Sequence, residues 1–160
     1  MIRTLRRLTV LMAALLALAT SAVITAGTAS ADLFTGPIVL HADEHLDAGR
    51  AVLYMQYDGN LVLYKDNRAV WDTGTWGAGP QTYAAFQSDG NLVVYINQYA
   101  LWNSRTCCNF GSQLVITDDG NMVIISASGR WLWSTATGDP SPPPPDPDPC
   151  PYPPYCDDGR

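Results

Sequence analysis

The sequence predicts an all-β domain built from three related units, and three observations carry that prediction. A nine-residue pattern occurs twice, as Gln56-x-Asp58-x-Asn60-x-Val62-x-Tyr64 and as Gln87-x-Asp89-x-Asn91-x-Val93-x-Tyr95, with an eroded copy at Thr117, Asp119, Asn121, Val123 and Ile125. The motif aspartates fall 31 and 30 residues apart, and Trp71, Trp102 and Trp133 recur at 31 and 31, so the domain is an internal triplication. Beyond residue 31 no segment sustains a helical period, whereas polar side chains alternating with apolar ones describe strands with one buried face.

In chain order, residues 1–31 read as a signal peptide. Arg3, Arg6 and Arg7 precede the apolar run from Leu8 to Ala19, and Ala29-Ser30-Ala31 offers a small-residue cleavage site. The residues around Arg6-Arg7 fit twin-arginine export poorly, so the general secretory route and a secreted, extracellular protein are expected. No later stretch is apolar for long enough to span a bilayer, and no Cys follows the cleavage site to accept a lipid, so membrane insertion is not expected. Loss of the leader removes three Arg and no acid, moving the formal charge from -6 to -9. An acidic chain without a basic cluster repels phosphate backbones, which argues against nucleic acid and for an uncharged ligand.

Residues 32–138 suffice for one domain with one core. Asp58-Gly59, Asp89-Gly90 and Asp119-Gly120 are hairpin signals. Leu61 and Leu63, Leu92 and Val94, and Met122 and Ile124 alternate with the motif residues and should point inward, leaving the motif side chains on the opposite face. Each unit ends in a Trp followed by small polar residues; Trp71, Trp102 and Trp133 are expected to fill a shared centre as structural residues. The third unit carries one extra residue between its Asp and its Trp, assigned to the turn from Ser126 to Arg130.

Residues 139–160 form a Pro- and Asp-rich, Cys-containing tail, whose prolines block ladder hydrogen bonds and favour an extended spacer. Four cysteines in an exported chain suggest disulfides. Bridging the neighbours Cys107 and Cys108 strains the peptide between them, so each is expected to reach Cys150 or Cys156; the alternative is a Cys150–Cys156 loop with the other pair free or vicinal. The cysteine spacing is not that of a zinc site and no His lies nearby, so neither metal nor cofactor is expected.

Catalysis finds little support. His41-Ala-Asp-Glu44-His45 spells a zinc-peptidase pattern, but that chemistry needs both His on one helical face and a third ligand. Glu44 is the only Glu, most Asp residues are taken by turns, motifs and tail, and Ser and Cys nucleophiles lack a His partner. The chain is therefore read as a non-enzyme.

The complete motif, with (Val/Leu)-Trp-(Asp/Asn)-(Thr/Ser) after it, resembles the bulb-type, or snowdrop-type, mannose-binding lectins, across essentially all of 32–138. That resemblance implies a β-prism of the second type: three four-stranded sheets around a pseudo-three-fold axis, each with one sugar pocket. It further implies that Asp and Asn bind O2 of mannose, Gln binds O3, Tyr binds O4 and Val touches ring carbons. Carried over, Gln56, Asp58, Asn60, Val62 and Tyr64 form one pocket, and Gln87, Asp89, Asn91, Val93 and Tyr95 another. Sugar hydroxyls both donate and accept, so an acceptor-only Asp beside mixed amide and phenol groups suits them independently of the resemblance. In the third unit Thr117 and Ile125 replace Gln and Tyr, so a pocket resting on Asp119, Asn121 and Val123 is expected to be degenerate. The family disulfide that uses the residue between Asp and Asn cannot form at Gly59.

These readings converge on a secreted lectin for α-D-mannose or mannose-containing glycans or polysaccharide, acting through two pockets, as a monomer or a homodimer. A single pocket with four or five net hydrogen bonds should bind near the millimolar range, so function would rest on multivalency. The alternative is an interaction or antagonism protein that uses the same scaffold to bind a bacterial envelope component. A β-trefoil would also be three-fold, but its repeats are longer and lack this motif.

Overall fold

The computed structural model describes residues 30–138. The leader lies outside them except for Ser30 and Ala31, and the tail with Cys150 and Cys156 lies outside altogether. Twelve strands run through the described residues. The first three are β1 (Ala31–Thr35), β2 (Ile38–His41) and β3 (His45–Ala48). Each motif unit then supplies three more: β4 (Ala51–Met55), β5 (Leu61–Lys65) and β6 (Arg68–Asp72); β7 (Thr82–Phe86), β8 (Leu92–Ile96) and β9 (Tyr99–Asn103); β10 (Gln113–Thr117), β11 (Met122–Ile125) and β12 (Trp131–Ser134).

These strands form three four-stranded antiparallel sheets, ordered β3-β4-β5-β6, β2-β7-β8-β9 and β1-β10-β11-β12. The expected β-prism is what the chain adopts. Each unit makes a three-stranded meander, and the opening segment closes all three sheets by lending one edge strand to each. Ala31, the last residue of the expected leader, already pairs with Thr117 in this arrangement.

Alternation sets the faces. Leu61 and Leu63, Leu92 and Val94, and Met122 and Ile124 turn inward and are essentially inaccessible, joined by Leu53, Met55, Leu114 and Ile116 in one core. At the hairpin before each central strand the chain reverses in three residues. In the first, the Gly59 N–H donates to the Gln56 carbonyl at 3.0 Å and the Gln56 N–H to the Asn60 carbonyl at 2.9 Å. Gly59, Gly90 and Gly120 hold φ values of 97°, 86° and 89°, the left-handed region that such a loop needs.

A bulge in every third strand aims the tryptophans. Leu63 faces Trp71 while Tyr64 faces Ala69, so Val70 is the surplus residue; Leu101 and Leu132 are surplus in the other two sheets. The bulge lets the residue two before each Trp share the outer face with the motif while the Trp itself turns to the axis. There the three indoles meet edge to face, with ring centres 5.4 Å (Trp71–Trp102), 5.4 Å (Trp71–Trp133) and 5.8 Å (Trp102–Trp133) apart. The extra residue of the third unit sits in its last turn, where the Ser126 N–H donates to the Arg130 carbonyl around a three-residue loop.

Candidate functional site

Each motif runs from the hairpin loop into the outer face of a central strand. In the first groove Gln56, Asp58 and Asn60 come from the loop, and Val62 and Tyr64 from β5. Val62 is 3% exposed and forms the floor. Gln56 Nε2 donates to the Tyr64 hydroxyl at 2.7 Å, and the Asn60 N–H donates to Asp58 Oδ1 at 3.0 Å. The second groove repeats both bonds: Gln87 Nε2 to the Tyr95 hydroxyl at 3.0 Å, and the Asn91 N–H to Asp89 Oδ1 at 3.0 Å. The five sequence-assigned residues of each complete motif are thus brought to one surface.

The asparagines do more than face outward. Asn60 Oδ1 accepts from the Thr73 hydroxyl and the Thr75 N–H, both at 3.1 Å; Asn91 Oδ1 accepts from Ser104 Oγ at 3.0 Å and the Thr106 N–H at 3.2 Å. Asn121 repeats this with Ser134, Thr135 and Thr137. The carbonyl end is occupied by the chain's own turn, and in the first groove Asn60 Nδ2 also donates to Asp72 Oδ1 at 3.3 Å. Thr75, Thr106 and Thr137 then donate their hydroxyls to the carbonyls of Gly59, Gly90 and Gly120 at 2.7, 2.6 and 2.5 Å. These hydroxyls fix the motif loops, and they escaped the sequence reading. Their signal was present in the (Ser/Thr)-x-Thr that follows each Trp at a fixed offset.

The flanks make the three grooves unequal. Beside Tyr64 lies a cavity of about 500 Å³ bordered by Arg50, Val52, Tyr54, Asp66 and Asn67. Arg50 and Asp66 form an exposed ion pair at 3.5 Å across its mouth. Tyr54 donates its hydroxyl to Asp43 Oδ1 at 3.0 Å, and this bond to a carboxylate raises its pKa above the ordinary value of 10.0. In the second groove Tyr83 stands where the first has Val52, stacks on Tyr95 with ring centres 5.3 Å apart, and donates to the Asn97 carbonyl at 3.1 Å. In the third, Asp119 and Asn121 keep their loop bond, but the Thr117 hydroxyl also bonds to Asp119 Oδ1. A cavity of about 300 Å³ remains there, walled by Val115, Ile125 and Trp131.

Two other sequence features resolve differently. His41 and His45 lie on strands of different sheets, each against a different tyrosine ring, Tyr83 and Tyr54, with centres 5.9 Å away. Glu44 instead accepts the His41 backbone N–H at 2.8 Å, so the peptidase spelling marks a turn between two edge strands. The sulfurs of Cys107 and Cys108 are 4.0 Å apart, about twice a disulfide bond, so the two are not bridged to each other.

The chain is similar to several solved structures. A monomeric monocot mannose-binding lectin from Gastrodia elata is 36% identical, with 67% of this chain and 98% of that chain covered and a TM-score of 0.59. The mannose-specific agglutinin from snowdrop (Galanthus nivalis) bulbs, complexed with methyl α-D-mannoside, is 34% identical, covering 61% and 90% with a TM-score of 0.54. Tarin lectin bound to trimannose is 31% identical, covering 59% and 88% with a TM-score of 0.53. Neither a scan of protein-family models nor a search of curated proteins gives a match.

Proposed function

The chain belongs to the structural family of the bulb-type, or monocot, mannose-binding lectins, and from that premise we propose that it is a secreted, non-enzymatic lectin for mannose-containing glycans. The observation that carries the reading is the recurrence of one hydrogen-bonded constellation in two grooves, Gln56–Tyr64 and Gln87–Tyr95, each ending at an Asp–Asn pair. Two hairpins that needed only to turn and pack would have no reason to keep four polar groups together on one surface of loop and strand.

The chemistry follows from what the bonds leave over. Tyr64 accepts from Gln56, so its own O–H is aimed away to donate, and the Gln56 carbonyl is left to accept. Asp58 keeps carboxylate lone pairs beyond the one used by the Asn60 N–H. A hexose bearing adjacent hydroxyls meets a donor, an acceptor and a buried apolar floor in one reach. No step here breaks a bond in the ligand. With single pockets near the millimolar range, the two grooves together would engage branched glycans or polysaccharide.

Isothermal titration with methyl α-D-mannoside tests the reading. Two equivalents bound per chain, lost when Gln56→Ala and Gln87→Ala are combined, is the expected result; absence of binding, or binding indifferent to both changes, overturns it. A second reading is an interaction protein that recognises a bacterial envelope component. It is favoured by the exposed Tyr57, Trp76, Tyr99 and Phe110, none of them a motif position. Partner binding that ignores the same two substitutions would select it.

A further inference from the structure

The third groove is closed at its polar end by the chain itself. Asp119 Oδ1 accepts both the Asn121 N–H and the Thr117 hydroxyl, so that oxygen is used up internally. Gly138 lies over the same end: a Cβ added there would stand 2.6 Å from Asp119 Oδ2 and 2.7 Å from Asn121 Cβ, too close for any side chain. Beyond this plug the groove turns apolar. Its 300 Å³ cavity continues past Val123 to Val115, Ile125 and Trp131, and Trp131 is 38% exposed. The complete grooves pair Tyr64 with Ala69 and Tyr95 with Ala100 across the ladder, whereas here Ile125 faces Trp131.

Both ends of this groove point to one occupant. At the plugged end the described chain stops at Gly138, and the sequence that follows holds Pro142 to Pro145, Pro147 and Pro149, with Asp146 and Asp148 among them. At the other end runs the linker that carries Cys107. Gln113, which that linker enters, pairs with Ile125, and a Cβ on Gly111 would stand 3.4 Å from that of Ala127 in the turn after Ile125. Cys107 is disulfide-bonded, and Cys108, its sulfur 4.0 Å away, is not the partner. The remaining cysteines of the chain are Cys150 and Cys156.

We propose that the third groove is the berth of the chain's own proline-rich tail, strapped from Gly138 at one end to a bridge between Cys107 and Cys150 or Cys156 at the other, with prolines of 142–149 seated against Ile125 and Trp131. The length suffices even for the nearer cysteine: residues 139–149 reach about 34 Å at about 3.1 Å each, and five-residue β10 crosses the face in about 17 Å. Proline-rich segments suit aromatic-lined grooves because they have little conformational freedom left to lose. Asp146 and Asp148 complement the charge of Arg130, the exposed neighbour of Trp131. The eroded motif then has a use, since Ile125 and Trp131 convert a sugar face into a seat for proline rings. This inference stands apart from the lectin reading, which concerns the other two grooves.

The test uses the full, oxidised chain. Trypsin cuts after Arg105 and Arg130, so mass spectrometry without reduction should find 106–130 joined to 131–160. Unlinked fragments overturn the proposal, and so does a covalent dimer on a non-reducing gel, which gives the tail to a second copy. In NMR spectra, with the Trp131 indole assigned through Trp131→Phe, nuclear Overhauser contacts from that ring to proline Hδ protons are expected. Pro142→Ser, Pro143→Ser, Pro144→Ser, Pro145→Ser, Pro147→Ser and Pro149→Ser combined should abolish those contacts and shift the Trp131 signal, while the Trp71 and Trp102 signals stay in place. A Trp131 ring without proline contacts, or a signal indifferent to the six substitutions, overturns the proposal. A Trp131 signal moved by methyl α-D-mannoside in the unaltered chain gives the groove to a sugar and overturns it as well.

Discussion

Gln56 donates its side-chain amide to the hydroxyl of Tyr64 at 2.7 Å, and both residues remain partly open to solvent. A polar pair that is accessible and mutually bonded sets donor and acceptor directions in advance without the cost of burial. Tyr64→Phe removes the shared hydroxyl and leaves ring packing in place. The affinity of the first groove for methyl α-D-mannoside should fall about five- to tenfold, the value of one hydrogen bond, with the thermal midpoint unchanged. Titration calorimetry and a melting curve on the same sample check both halves.

Thr106 is 4% exposed, and its hydroxyl bonds both to the Gly90 carbonyl at 2.6 Å and to Ser104 Oγ at 2.7 Å. Thr106→Val keeps the shape and strands a carbonyl inside the protein. The cost should be about 1–3 kcal/mol of unfolding free energy, read from the denaturant midpoint. Thr106→Ser should recover most of it.

Gly90 and Gly129 share a positive φ, 86° and 82°, and differ in surroundings. A Cβ at Gly90 would stand 2.7 Å from the Asn109 carbonyl oxygen and 2.8 Å from Ser112 Oγ, whereas one at Gly129 would meet nothing within 4 Å. Gly129→Ala should therefore cost about 1 kcal/mol from backbone strain alone, and Gly90→Ala about 3 kcal/mol or more. Equal costs for the two would refute the steric account.

The Tyr54 phenol should titrate above the ordinary value because its hydroxyl bonds to the Asp43 carboxylate. Since the folded value is the raised one, the associated stability is present below pH 10 and disappears as pH climbs through the folded value. Ultraviolet titration followed at the phenolate band should show one tyrosine shifted upward, and Asp43→Asn should return it.

Faces and centre were legible because period-two alternation is strict on the central strands: Leu61 and Leu63 are buried, and Gln56 and Tyr64 share the outer surface. The flanks were not. Whether Val52 or Tyr83 lies beside a motif tyrosine depends on strand register, which the motif does not encode. Trp131 shows the limit most plainly. Counting back by twos from the inward Trp133 points it to the core, and only the surplus Leu132 turns it out. The asparagine carbonyls were hidden for another reason, since an amide offers a ligand and its own backbone the same atoms.

Residues 31–48 donate a border to every wall of the prism, and the first of those borders is completed only by residues 113–117. Repetition in the sequence therefore does not make modules that can mature one after another, as stacked solenoid repeats do. The opening ribbon must wait for nearly the whole domain to be available, and long-range closure of that kind slows folding. A cut or deletion within that ribbon would unfasten all three walls at once.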